Sequence, residues 1–517
     1  MPELPIKIRS MPGIKRDGTV LEGENYIDGQ WCRFQRGRPR KIGGYQSISS
    51  TVPELARGMT SFSANGQRYL HIGGKSQINQ YIISSNGTLA GQNDRTPAGF
   101  TSELDHLWQF DHFFDALAVV TDVIAHPGRN LTNIDSTAET PIYLGTATAS
   151  GLLIDSTMIS VSGGIVTLGP YLFAFGNDGG ISWSNVNDPT TLDATANVTQ
   201  QKVVAGKPLR GAGQGPAGLF WSLDALVRAT FVGGGVVWQF DTLANEISIL
   251  SSQGVVEYDG TFFWPGVDRW MMFNGVVRDI PNDFNVNYFY DNLNFSQRQK
   301  VFGFKVPRFG EIWWCYPRGT ATECTHAVIF NVKEGYWYDT ELPLDIGMEP
   351  SSSFPGRTAG VFAKVYNKPF MVDAQNAGTF STPLYTLWQH ETGVDRVQMS
   401  TINPIESFFE TAEIGMPVDD QQPNNKELRV ARIEPDFVQA GPMTVNVRGR
   451  VNAKAPFIED AAQTIVETAS SGTEETVKMK TIRRLMSFKF TSNVQGGNYE
   501  FGETLAHVEP TGERLES

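Results

Sequence analysis

Cysteine is almost missing from this chain. Three thiols, Cys32, Cys315 and Cys324, serve 517 residues, and no two stand in a CxxC pair. That excludes a disulfide framework and a cysteine-based zinc site. Cys315 and Cys324 sit symmetrically about Gly319 and Thr320 in an expected hairpin, where two reduced, buried thiols face each other. Catalytic signatures are missing too: there is no HExxH pair and no GxSxG elbow. GGKS at 73–76 ends like a phosphate-binding loop, but Tyr69 stands where the leading glycine is needed and a strand-like QINQYII follows. The segment predicts a hairpin turn. Long apolar runs are absent. The longest uncharged stretch, 156–177, is broken by Gly163, Gly164, Gly169 and Pro170 and reads as paired strands. The opening MPELPIKIRSMPGIKRDG has no apolar core of signal-peptide length. A soluble protein without membrane insertion is expected.

Positive charge is scarce as well. Lys and Arg number 42 against 55 Asp and Glu, a net charge of −13. The exception is the N-terminus: residues 1–45 carry +4, which leaves −17 on the rest. Within it, GQWCRFQRGRPRKIGGY (29–45) sets Arg33, Arg36, Arg38, Arg40 and Lys41 among Trp31, Phe34 and Tyr45. Basic residues interleaved with aromatics resemble a nucleic-acid footprint. An acidic body opposes it, because tight duplex binding requires phosphates to be neutralised. A strand edge or a protein contact is the expected role of these five residues.

What the sequence has in abundance is glycine, with 52, and aromatic residues, with 32 Phe, 15 Tyr and 11 Trp. Asn-Gly or Asp-Gly pairs recur along the chain and suit the tight turns of hairpins. The clearest unit, 254–280, parses as four short strands joined by Asp259-Gly260, Gly266–Asp268 and Asn274-Gly275. Similar units fall at 57–83, 160–185, 209–240, 301–339 and 359–389, a spacing of roughly 40–50 residues, as in propeller blades. The expected class is all-β: a β-propeller of six to eight blades over 25–400, after an N-terminal arm at 1–24. A short helical insertion is expected near 291–303. Beyond 404 the strands lengthen and alternate cleanly; Met443, Val445 and Val447 share one face, as do Met486, Phe488 and Phe490. A separately folding C-terminal β-sandwich over 404–517 is expected.

Few residues suggest chemistry. His106 and His112 lie near Asp105, Asp111 and Asp115, but strand alternation scatters them over different faces. GNDGGISW (176–183) resembles the Asp-box of sialidases, in which the aspartate, here Asp178, braces a blade turn and the tryptophan, here Trp183, packs between strands. That box supports a propeller and not a reaction. A sialidase-like or sugar-binding propeller acting on glycans is the alternative reading.

Three segments resemble the tail nozzle, or packaged-DNA stabilisation, proteins of short-tailed bacteriophages. They are IKRDGTVLEGENYIDGQWCRFQRGRPRKIGGY, the run NLNFSQRQKVFGF to EIWWCYP to VIFNVKEGYWYD, and KTIRRLMSFKFTSN to GGNYEFGETLAHVEP. The resemblance implies a non-enzymatic virion protein of the tail, assembled in the host bacterial cytoplasm, with no cofactor, metal or catalytic residue. Copies would form a homo-oligomeric ring, expected to be a hexamer, below the portal and the head-to-tail adaptor protein. The ring would extend the channel for genomic DNA without binding it tightly, help retain the packaged genome, and anchor tail fibre, spike or needle proteins. An acidic lumen repels phosphates, so DNA slides. Arg33, Arg36, Arg38, Arg40 and Lys41 then become a candidate subunit or adaptor contact.

Overall fold

In a computed structural model the chain is almost wholly β. The structure describes all residues except 1–2, 9, 20–23, 65–66, 85, 97–106, 115–119, 126–130, 136–140, 145–162, 188–191, 193, 212–214, 344–355, 380, 416–425, 453, 468–475 and 514–517. Six four-stranded antiparallel sheets follow one another, each a simple meander. Their first strands are Gly58–Ala64, Gln109–Phe114, Gly164–Leu168, Val203–Leu209, Val256–Tyr258 and Phe302–Val306. A seventh sheet begins with Arg357–Ala363, Lys368–Asp373 and Tyr385–His390, and its fourth strand comes from the other end of the chain. Tyr45–Val52 pairs antiparallel with Tyr385–His390. The unit expected at 254–280 has its four strands and three turns where the turn dipeptides put them.

Each sheet rests on the next. Phe62 of the first meets the His112 ring of the second at 4.7 Å. Asp111 of the second accepts the amide of Thr167 in the third. Phe173 and Phe220 join third to fourth, Trp221 and Trp264 fourth to fifth, and Phe263 and Phe330 fifth to sixth. Met371 of the seventh shares a core with Trp313 of the sixth. Ala359, Val372 and Leu387 of the seventh share a core with Leu70 and Ile72 of the first. The first strands approach so closely that glycine is needed between them: a Cβ on Gly206 would lie 2.9 Å from Val166, and one on Gly303 2.7 Å from Val256.

The chain ends form a second body of sheets. Lys426–Glu434 lies between Thr504–Glu513 and Val477–Arg483, while Met443–Arg450 pairs with Leu485–Ser492. Met443, Val445 and Val447 are buried together with Met486, Phe488 and Phe490, as the alternation predicts. The expected division of the chain needs correction here. Leu4–Ile8 is an edge strand on Thr504–Glu513, Asp28–Gln30 pairs with Ser407–Glu410, and the hairpin of Cys32–Gln35 and Arg38–Lys41 joins Asn498–Phe501. Leu4–Ile8, Asp28–Gln30, Cys32–Gln35 and Arg38–Lys41 therefore complete the C-terminal sheets, while Met11–Ile14 and Asn25–Tyr26 pair with each other; these strands are neither a loose arm nor the start of the repeating sheets. The reason is burial. Trp31, Phe34 and Tyr26 are 1–2% exposed and share one core with Phe409, Phe488 and Phe501.

The helical insertion falls partly inside the expected 291–303 and begins before it. The α-helix is Val286–Tyr290, and Phe295–Lys300 is a 3-10 segment. The first helix takes its cap from far away: the Asp17 carboxylate accepts the amides of Asn287 and Tyr288 at 2.7 and 2.8 Å.

Two consequences can be measured. A fragment beginning at 404 lacks the strands supplied by 4–41, so it should be aggregated or molten alone and regain a cooperative transition when residues 1–44 are supplied; an autonomous fold of 404–517 would contradict this pairing. The second concerns acid. Burial holds His112 down at about 4, and holds His71 and His390 well below the usual 6.5. The unfolded chain takes up protons near pH 6.5 that the native chain refuses. Stability is therefore complete above that pH and falls toward the folded values, by at most about 1.4 kcal/mol per pH unit for each histidine. The melting temperature should drop from pH 7 to 5, less steeply in His112→Gln; an unchanged slope in that variant would remove His112 from the account.

Candidate functional site

The five basic residues of 33–41 occupy one hairpin, and its geometry divides them. Arg36 and Gly37 form its turn with φ of 54° and 72°, the positive pair that a two-residue hairpin connection requires. Arg33, Gln35, Arg38 and Arg40 share one side by strand alternation, with Arg33 opposite Arg40 in register. Depth separates them. Arg33, at the base, is 1% exposed; the Arg38 side chain, at the tip, is 57% exposed.

Arg33 is an internal tether. Its Nε lies 2.9 Å from Glu311, one Nη contacts Glu391 at 3.1 Å, and the guanidinium lies 3.6 Å over the Phe309 ring. Glu311 is fully buried and also accepts from Trp313 Nε1 at 2.9 Å and Tyr338 Oη at 2.7 Å. Burial pushes the Glu311 carboxyl up, against the pull of Arg33. Lys41 likewise points inward. It donates to the Gly497 carbonyl at 2.9 Å, and burial lowers its pKa to about 8. These two members of the expected contact cannot reach a neighbour: the core takes them because the base of the hairpin is wedged between the sixth sheet, the seventh sheet and the C-terminal sheets.

Arg36, Arg38 and Arg40 face outward. Arg38 and Arg40 stand 4.0 and 3.7 Å from Glu500, at the weak end of ion pairing. The Arg36 amide donates to Glu334 at 2.8 Å while its side chain is exposed. Beside the turn opens a cleft of about 840 Å³, lined by Lys7, Arg36, Arg38, Glu334, Tyr336 and Glu503 among others. It is the described surface where the sequence-predicted basic residues and a concavity coincide.

More bonds fasten the seam. Arg16 bridges Asp28 at 2.6 Å and Asp339 at 3.0 Å. Trp31 donates its amide to Thr340 Oγ1, and Glu341 donates its own to Gln30. Sequence reading missed Glu311 and Glu391. One signal was present: an acid heading the aromatic strand EIWWCYP must have a partner if that strand is buried.

The chain matches no protein-family model. No curated protein is a detectable relative of it. What the residues do must be argued from their geometry.

At GGKS, Glu54 occupies the turn: its carboxylate accepts from the Ser76 amide at 2.7 Å and the Gln77 amide at 3.2 Å. A carboxylate thus sits on amides that a phosphate loop would offer to a phosphate. Asp178 does not brace its turn. It is exposed, with φ of 56°, and backbone bonds such as Gly176 amide to Gly180 carbonyl hold the hairpin. Trp183 does pack between strands, against Phe173 and Phe240. His112 and Asp111 lie on the second sheet, and Asp105, His106 and Asp115 fall outside the described residues. The three cysteines are free and buried. Burial raises the Cys32 thiol to about 12 and Cys324 well above its usual value, with Cys315 close enough to add to the latter.

Removing Arg33 would leave Glu311 buried and uncompensated, a loss of about 3–5 kcal/mol. Arg33→Met should lower the denaturation midpoint accordingly, and Arg33→Lys should not restore it, because a point charge cannot serve two carboxylates and a ring face. Full stability in Arg33→Lys would show that charge alone holds the seam.

Proposed function

We propose that this chain is a structural component of a short-tailed phage tail, a nozzle subunit, and that its seven sheets close radially as a seven-bladed β-propeller beside a β-sandwich. One observation carries the functional reading. The three segments that resemble nozzle proteins lie hundreds of residues apart in sequence, yet they meet at one seam. Arg16 and Arg33 of the first bind Asp339 and Glu311 of the second. Lys41 of the first reaches Gly497 of the third. Their resemblance thus concerns one continuous piece of the molecule.

The fold reading is supported by the cycle of sheet contacts and by Tyr45–Val52, which closes the last sheet with a strand from the chain's start. Such closure removes free sheet edges. On this reading the loop 251–254 would cross the hub of the cycle, since its Gln253 donates to the carbonyls of Arg57 and Trp108. A conduit for DNA would therefore run between copies arranged in a ring. A closed ring requires one patch to meet a different patch on its neighbour. The outward Arg36, Arg38 and Arg40 and the cleft beside them supply one such patch, and an acidic body supplies counter-charges. On this reading the chain works as scaffold and conduit, without catalysis.

Arg36→Glu combined with Arg38→Glu should leave the monomer folded, because both side chains are exposed, and should impair ring formation or docking on the adaptor. Each exposed pair is worth only ~0–1 kcal/mol, but reversal acts at every copy of the interface. Sedimentation of the double variant with its adaptor checks this. Normal rings at normal yield would reduce the hairpin tip to a solvated edge.

A further inference from the structure

Where first strands of successive sheets meet, they lie side by side and run the same way. Gly164 starts its strand beside Gln109, which starts the strand before it, and Gly303 sits beside Val256 in the same sense. Their starting ends are filled by the loop 251–254. Besides Gln253, Ser252 accepts from Gln109 at 3.1 Å, and the Gln253 carbonyl accepts the Gly303 amide at 2.9 Å. One loop from the fifth sheet thus touches the first, second and sixth.

The finishing ends differ in kind. Arg210 directly follows Val203–Leu209, Lys305 is the next-to-last residue of Phe302–Val306, and Lys364 directly follows Arg357–Ala363. Glu257, in Val256–Tyr258, is the carboxylate among them, and both of its oxygens are engaged. One accepts Lys305 Nζ at 2.9 Å and the other the Gly260 amide at 2.9 Å. Among the described residues Lys364 and Arg210 have no ion pair. Partial desolvation, then the charges of Lys305 and Arg210, lower the pKa of the Lys364 side chain, against the pull of Glu257. Lys207, farther along the hub, has Asp111 as its own neighbouring carboxylate. A chain with net charge −13 therefore gathers three cations around one carboxylate, each of whose oxygens already accepts a bond.

We propose that the finishing ends of the first strands form a phosphate-binding site, with Lys364, Arg210 and Lys305 as its cations. The surplus over Glu257 is two positive charges, which matches a phosphate group carrying about −1.5 to −2 at neutral pH. Two ammonium groups act as point charges, and an arginine fork can grip two oxygens at once. The site rests on the cyclic packing of the sheets and is independent of the nozzle role. A free phosphate meets this surplus alone; in a nucleic-acid backbone, where each diester carries one charge, two neighbouring phosphates would meet it.

The test uses the full chain and inorganic phosphate, titrated calorimetrically with chloride holding the ionic strength constant. Saturable binding is expected. Lys364→Gln and Arg210→Gln should each weaken it about tenfold, the effect of losing one charge-assisted bond. Lys75→Gln, on the distant GGKS turn, should leave it unchanged. A second arm adds short duplex DNA: competition with phosphate assigns the site to a nucleic-acid backbone, and its absence assigns the site to free phosphate. No phosphate binding beyond that of chloride, or binding that survives in the Lys364→Gln, Arg210→Gln double variant, overturns the proposal. Both side chains are exposed, so circular dichroism should match wild type.

Discussion

The buried guanidinium of Arg33 ties the molecule together. A charge 1% exposed persists only where partners replace the water it has lost. Here those partners come from two sheets: Glu311 from the sixth and Glu391 from the turn after the seventh sheet's third strand. Arg33 itself stands on a hairpin hydrogen-bonded to the C-terminal strand Asn498–Phe501. One side chain thus joins three parts of the chain, and the aromatic residues around it exclude solvent. Trp31 stacks edge-on to Tyr45 and Trp313, and Phe34 to Tyr338. The cost of burying this charge fixes the orientation of the sheets that surround it.

The same arrangement explains which features were legible in the sequence. The unit at 254–280 could be read because Asp259-Gly260 and Asn274-Gly275 write their turns locally, and φ of 48° and 80° at Asp259 and Gly260 agree. The alternation of Met443, Val445 and Val447 could be read because a period of two is local as well. Long-range pairings could not. Nothing near residue 45 says that Tyr45–Val52 completes a sheet begun at Arg357, and nothing near 286 says that Asp17 caps the helix. The basic stretch misled for a related reason. Five cations within nine residues look alike in sequence, yet strand alternation and depth send Arg33 and Lys41 into the core and leave Arg36, Arg38 and Arg40 outside.

Glycine carries part of the architecture. Gly206 and Gly303 stand where neighbouring first strands come within side-chain distance, so a methyl group would force sheets apart. Loop 251–254 bridges the starting ends of these strands, with Gln253 donating to the carbonyls of Arg57 and Trp108 and Ser252 accepting from Gln109. On the proposed radial closure, that loop would stand in the way of a double helix. If the chain is a nozzle subunit as proposed, its conduit would therefore lie between copies and not within one.

The most direct test is electron microscopy of the wild-type chain mixed with the head-to-tail adaptor that the proposed nozzle role implies. The account predicts a closed ring whose axial channel lies between subunits, with each subunit's hub blocked and its hairpin tip at the boundary with a neighbour. Isolated monomers under assembly conditions, or a ring whose channel runs through the hubs of its subunits, would contradict it.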